Sequence, residues 1–154
     1  MIEVVIAAAL LGAISWSFLE YVIHRYQGHD RRFRRTAFGV EHIRHHIQGD
    51  YFAPTWKKLL FAAGVAAGLA FPVVLVGAAV GLPYLAGLLG FYGVYELVHR
   101  RLHTHAGIGR YGRYLRRHHF RHHLVDARTN YGVTSPLWDL LFGTEGRAPG
   151  AGAP

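Results

Sequence analysis

Two long apolar stretches punctuate the chain, and each leads directly into a basic segment crowded with histidine. The first reads IEVVIAAALLGAISWSFLEYVI from Ile2 to Ile23, with Glu3 and Glu20 near its two ends. About 20 apolar residues in helical form cross a hydrocarbon core, so this segment predicts one membrane span. No basic region precedes it and it runs straight into a histidine motif at His24, so it is expected to be a retained span and not a signal peptide. The second stretch, Leu59 to Val98, carries one charged residue, Glu96, and is twice as long as a single crossing requires. Gly81-Leu82-Pro83 offers a break, which predicts a hairpin of Leu59 to Val80 and Tyr84 to Val98, with Pro72 as a kink position in the first arm. Gly64 with Gly68, and Gly77 with Gly81, have the spacing of small residues that lets membrane helices approach closely.

The expected fold is therefore all-α: an integral membrane helical bundle of three spans with a histidine-rich helical cap, forming one domain over residues 1–146. The last residues, 147–154, read RAPGAGAP and predict a disordered tail.

Charge sharpens the topology. The formal charge is +8, and the seventeen lysines and arginines fall between Arg25 and Lys58, between Arg100 and Arg128, and at Arg147. None interrupts an apolar stretch, so the pattern describes a basic face held against anionic headgroups and argues against a nucleic-acid groove. By the positive-inside rule the histidine-rich side is cytoplasmic. Cysteine is absent, which excludes disulfides, iron–sulfur clusters and thiolate ligands, so any metal must sit on nitrogen or oxygen.

The candidate chemistry lies in the twelve histidines, none of which falls in the middle of a span. In order they are His24 and His29, then the HxxHH triplet His42, His45 and His46, then His99 and His103, then a second triplet His119, His122 and His123, with His105 and His118 left over. On a helix, positions i, i+3 and i+4 share a face, so each triplet is expected to aim three imidazoles at one point, and His99 with His103 two. Five residues of regular helix would turn His29 away from His24. Gly28 is expected to end the helix and let His29 turn back. The pattern of a histidine pair followed by a triplet occurs twice, and ten donors in two matching sets suggest two metal ions where one would need only three or four. Glu20 and Glu96, each about one turn before a histidine, are placed to accept the free ring N–H of a ligating imidazole, as carboxylates commonly do around metal-bound histidine. A helical ion pair of Glu96 with Arg100 is the plainer alternative. His105 and His118 read as solvent-facing or hydrogen-bonding neighbours. Solvated interfacial histidines would explain one such triplet but not two triplets with two pairs.

These motifs, together with Asn130-Tyr131-Gly132-Val133-Thr134-Ser135-Pro136-Leu137-Trp138-Asp139 and Leu141-Phe142-Gly143-Thr144, strongly resemble the fatty acid hydroxylase and sterol desaturase superfamily of membrane diiron enzymes. The resemblance implies that His24, His29, His42, His45, His46, His99, His103, His119, His122 and His123 are the ligands of two irons, a site that zinc can also fill in an isolated sample. Imidazole itself does not choose between iron, zinc, copper and nickel. The implied activity is O2-dependent hydroxylation, or desaturation, of a C–H bond in a fatty-acyl or sterol-like lipid. An external donor, a ferredoxin or b-type cytochrome with its reductase, would supply electrons, because the chain has no dinucleotide-binding glycine motif. Carotenoid hydroxylation is the second reading within this class, and a non-catalytic membrane metal binder is the rival from another. In the closing segment, Thr134 and Ser135 are expected to cap a short helix begun by Pro136 and ended at Gly143, lying at the membrane surface as a lid, wall or anchor.

Overall fold

The computed structural model describes residues 1–146; the tail expected to be disordered lies outside the described residues. Six α-helices follow one another, α1 (Ile2–Val22), α2 (Ala37–Gln48), α3 (Thr55–Val76), α4 (Ala78–Thr104), α5 (Gly109–Leu124) and α6 (Leu137–Leu141), with no strand among the described residues. A wider π-helical turn, Ile23–Gly28, prolongs α1, and a short 3₁₀ turn, Arg31–Phe33, leads towards α2. Three of the helical segments, Ile2–Gly28, Thr55–Val76 and Ala78–Thr104, are long and apolar enough to cross a membrane.

The hairpin between the second and third spans does not turn where the sequence suggested. Its break is Gly77, with φ 85° and ψ 143°, a conformation open to glycine and closed to residues with a Cβ. Gly81, Leu82 and Pro83 lie inside α4 instead, and α3 runs on through Pro72 to Val76. With the turn at Gly77, Val73 and Gly81 come face to face, and a Cβ on Gly81 would meet the Val73 Cα at 2.8 Å. Gly81 thus serves the close approach and Gly77 the reversal. Gly64 and Gly68 have nothing within 4 Å of an added Cβ, so they pack no helix within this chain.

The tightest crossing is between α1 and α4, and it was not anticipated. A Cβ on Gly12 would fall 2.0 Å from the Tyr84 carbonyl oxygen, and one on Gly87 would fall 1.9 Å from that of Ala9. Without side chains at these two positions the backbones touch, as small residues allow in membranes. One level further along, Trp16 packs on Tyr92 at 4.6 Å between ring centroids and on Phe61 at 6.1 Å, drawing α3 into the same bundle. α3 has no buried residue of its own, as expected of a helix whose surroundings are lipid.

Beyond the spans, α2 starts where the Thr36 side chain accepts the Gly39 N–H at 3.1 Å and stops at Gly49 with φ 68°. The buried residues of α2 are Gly39, His42 and His45, and those of α5 are Leu115, His118, His119 and His122, so in both helices the buried face consists largely of histidine.

The glycine crossing makes a direct prediction. Gly87→Val should lower the stability of the detergent-solubilised protein by at least about 1–3 kcal/mol, the usual cost of overpacking. Gly64→Ala, which meets open space, should leave it unchanged or slightly raised. Thermal unfolding followed by helical circular dichroism reads both, and equal midpoints for the two variants would show that α1 and α4 do not meet here.

Candidate metal centre

Ten histidines converge at the ends of the spans and in the helices that follow them, as two groups of five. His24, His29, His42, His46 and His122 form one, and His45, His99, His103, His119 and His123 the other; within each, one ring nitrogen per residue lies within 4.8 Å of the rest. Neither triplet stays together, in contrast to the expectation that each would aim three rings at one point. The cause is helical geometry: at about 100° per residue, positions i and i+4 are nearly in line while i+3 stands about 100° away from i+4. His42 and His46 therefore face the first group while His45 faces the second, its ring centroid 4.6 Å from His99 and 4.5 Å from His103. On α5, His119 and His123 face the second group while His122 crosses to the first, 4.4 Å from His24 and 4.6 Å from His29. Helices α2 and α5 lie between the groups and each supplies both, so the two matching sets read from the sequence exchange one member. Across the boundary His46 and His123 stack at 4.1 Å.

The His24 and His29 pair meets by a different route from the one expected. The helix ends at Gly28, as expected, but the rings are brought together by the turn that precedes that end. It widens into the π-helical turn Ile23–Gly28, in which residues five apart come onto one face, and the two rings stand 5.2 Å apart. Gly28 is needed for space, since a Cβ there would lie 2.8 Å from the His42 ring.

Ring orientation is set by backbone carbonyls. The Nδ1–H groups of His24, His45 and His122 donate to the carbonyl oxygens of Tyr131, Tyr51 and Thr129, the last two at 2.6 and 2.7 Å. Each bond fixes a tautomer whose Nε2 lone pair points inward. The Nε2 atoms of His24, His45 and His123 are buried without a partner. Other inward nitrogens approach in pairs, His42 to His29 at 2.9 Å, His103 to His119 at 2.7 Å and His122 to His46 at 3.1 Å. Lone pairs of neutral imidazoles that converge in this way repel unless a proton or a cation lies between them. A donor set of imidazole nitrogens alone, buried and inward-facing, fits a metal ion in each group.

Burial keeps these rings neutral. It lowers His42, His119 and His122 well below the usual imidazole range, with neighbouring histidines adding to the effect. His46 is lowered to about 3 by burial and then by His29. Burial and then the Arg34 charge bring His29 to about 4.

The two carboxylates expected to hold ring N–H groups do not do so. Glu20 Oε1 accepts from Val133 N at 3.2 Å and from Thr134 N and Oγ1 at 2.8 Å each, because its side of α1 faces the closing segment while the π-turn rotates His24 away. Glu96 pairs with Lys58 on α3, and neither with His99 nor with Arg100. His105 is exposed, as expected, and His118 is a buried hydrogen-bonding neighbour whose Nε2 meets Asp139 at 3.1 Å. In the closing segment, Ser135 Oγ accepts the Leu137 N–H at 3.2 Å, but Thr134 is turned to Glu20 and caps nothing. Leu137, Leu140, Leu141 and Phe142 stand exposed, and Trp138 is anchored to Ser17 Oγ at 3.0 Å.

Asp139 was overlooked as a functional residue. It is wholly buried and accepts from Tyr131 N, Gly132 N, Thr144 Oγ1 and His118 Nε2. The roles of the Tyr51, Thr129 and Tyr131 carbonyls carry no signal in residue identity at all.

A cavity of about 310 Å³ adjoins both groups. His24 and His42 of the first and His45 and His99 of the second line it, and Trp16, Phe61, Tyr92 and Tyr95 extend it between the spans. The ion pairs Lys57–Glu41 and Lys58–Glu96 stand at its wall.

Three membrane-length helices and a pocket of imidazoles able to hold metal define a helical membrane protein of the polyhistidine metal-binding class. The fatty acid hydroxylase model matches residues 9–144, and the chain belongs to the fatty acid hydroxylase family. It is 30% identical over 150 residues to dihydroceramide fatty acyl 2-hydroxylase FAH1 of Arabidopsis thaliana, covering 91% of this chain and 61% of that one. It is 31% identical over 148 residues to fatty acid 2-hydroxylase of Homo sapiens, covering 88% and 38%. A solved structure described as full-length scs7p with only the hydroxylase domain visible superposes with a TM-score of 0.71 at 28% identity, over 91% of this chain and 56% of that one. The chain therefore spans less than two thirds of the length of each of these relatives.

Buried neutral histidines make the metal-free protein sensitive to acid. The unfolded chain takes up protons from about pH 6.5 downward, whereas the folded chain resists until about 4 at His29 and about 3 at His46. The unfolded state then binds more protons, so stability is full above about pH 6.5 and falls as pH drops through that window. The unfolding midpoint of metal-free protein should decline steadily from pH 7 to pH 4.5, and a flat midpoint would show that the rings are solvated.

Proposed function

We propose that the ten histidines hold two iron ions, one per group, and that the protein is an O2-dependent hydroxylase of a lipid C–H bond, with residues 1–146 as a single hydroxylase domain. The observation that carries this reading is that two histidines of each group line one cavity, which Trp16, Phe61, Tyr92 and Tyr95 extend between the spans. The irons, when bound, supply the activation of dioxygen and the oxidation of the C–H bond. The chain supplies placement and exclusion of water. Trp16, Phe61, Tyr92 and Tyr95 accept an apolar chain from the bilayer side, and the histidines fix where along that chain the reaction falls.

A fatty-acyl chain is the proposed substrate, since the relatives are named fatty acid and fatty acyl 2-hydroxylases. Carotenoid hydroxylation finds no support among them. Desaturation remains the variant outcome of the same centre, a sterol-like lipid the variant substrate, and zinc the variant metal of an isolated sample. The proposed electron donor is an external ferredoxin or b-type cytochrome with its reductase, docking on the basic, cytoplasmic face.

The test is elemental analysis of protein purified with its iron retained, followed by reaction with acyl lipids, O2 and a reducing system. Two equivalents of metal are expected in the wild type. His45→Ala and His122→Ala strike different groups, so each should remove about one equivalent, and both should abolish the hydroxylated product seen by mass spectrometry. A protein that binds two metals but oxidises no lipid would be a non-catalytic metal binder, and one that binds none would overturn the whole reading.

A further inference from the structure

Five consecutive backbone N–H groups in the segment Asn130 to Thr134 are each taken up by a specific acceptor. Asn130 N donates to the Thr144 carbonyl at 2.9 Å. Tyr131 N and Gly132 N donate to Oδ1 and Oδ2 of Asp139 at 2.8 and 2.7 Å. Val133 N and Thr134 N donate to Oε1 of Glu20, on a different helix. Asn130 itself holds φ 58°, a left-handed conformation that asparagine tolerates, and its Nδ2 donates to the His118 carbonyl at 3.2 Å. The segment is a strap pinned on one edge by two buried carboxylates.

The carbonyl of Tyr131, within the strap, and that of Thr129, just before it, receive the Nδ1–H of His24 and of His122. Both rings belong to the first histidine group. The corresponding ring of the second group, His45, is held by the Tyr51 carbonyl, which lies after α2 and has no connection to the strap.

We propose that Asp139 and Glu20 are positioning residues that act through this strap on His24 and His122, and so set the metal affinity of the first histidine group without touching that of the second. The inference rests on the reading that each group holds a metal ion. Asp139 offers two oxygens to four donors. An asparagine there has one oxygen and one NH2, and whichever way it turns the NH2 opposes two donors: Tyr131 N and Thr144 Oγ1, or Gly132 N and His118 Nε2. The Tyr131 peptide then shifts, and its carbonyl no longer fixes the His24 ring. Loss of an interaction that orients a ligating histidine costs about tenfold to a hundredfold in metal affinity.

The experiment is chelator competition on the full chain loaded with cobalt(II), recording metal retained and the cobalt absorption spectrum. Wild type, Asp139→Asn, Glu20→Leu, which removes the oxygen that accepts from Val133 and Thr134, the milder Thr134→Val, and His45→Ala are compared. In Asp139→Asn and Glu20→Leu, one of two equivalents should leave at a chelator concentration at least about tenfold lower than in wild type. Its spectral component should be the one that His45→Ala preserves. Thr134→Val removes one of the three hydrogen bonds to Glu20 and should show the same selective effect in smaller degree, which keeps the test open if Asp139→Asn does not fold. Equal weakening of both equivalents, or no change in either while the protein stays helical and monodisperse, overturns the positioning role. Wild type that holds no cobalt overturns the metal reading beneath it instead.

Discussion

Ten imidazoles, buried or half-buried, must be kept neutral and aimed inward with no carboxylate among them, and the rest of the architecture follows from that demand. Removing a polar ring from water is unfavourable unless its hydrogen-bonding capacity is met. Each ring has two nitrogens and only one can face the centre. The protein meets the outer nitrogen of His24, His45 and His122 with a main-chain carbonyl, a neutral acceptor that adds no charge to the pocket. The two carboxylates nearest the first group, Glu20 and Asp139, are spent on main-chain N–H groups instead. Inner nitrogens left unpartnered, as at His24, His45 and His123, are then the unsatisfied capacity that a cation would meet.

Such a pocket requires rigid origins. His24 and His99 continue helices that touch backbone to backbone at Gly12 and Gly87, so the two groups inherit their separation from the closest contact in the membrane. Helices α2 and α5 cannot use the bilayer to fix themselves. Each is held by giving histidines to both groups, which ties the cap to the spans through the site itself. This accounts for how little apolar surface the cap buries: the described hydrophobic cluster beyond the spans is small, centred on Leu102, Leu115 and Val133. In a protein of this kind metal and cap stability are one quantity, because binding energy to the folded state adds to folding free energy.

The sequence carried the helices, the three spans and all ten converging histidines, because apolar run length and i, i+4 spacing are local properties. It did not carry the division of each triplet between two groups. That follows from the 100° offset of His45 and His122 only once something is known to lie on each side of α2 and α5. The turn at Gly77 was misplaced because Gly81-Leu82-Pro83 has stronger turn chemistry, and only the packing of Val73 on Gly81 decides between them. The π-turn at Ile23–Gly28 leaves no compositional mark, and Gly28, the last residue of that turn, also admits the His42 ring. Glu20 and Asp139 show the limit most plainly. Their roles depend on where a distant segment's amides point, which no spacing along the chain encodes.

The site has two unlike sides, and the difference bears on how it would work. The cavity touches His24 and His42 of one group and His45 and His99 of the other, so a molecule within it faces both groups at once. His122, Thr129 and Tyr131 are absent from that wall, while His24 and Glu20, both bonded to the strap, stand on it. The cavity is thus aromatic where it reaches between the spans, while the strap is a hydrogen-bonded segment with no free donor among its five amides. The oxygenase chemistry proposed for the site would call for this asymmetry. The substrate side must exchange one apolar chain for another, and the far side must neither move nor admit water if the reactive position is to stay fixed against the chain. The ion pairs Lys57–Glu41 and Lys58–Glu96 fit the same scheme, since they put fixed polar groups at the cavity wall without leaving a net charge there to hold an anionic ligand in place of a neutral chain.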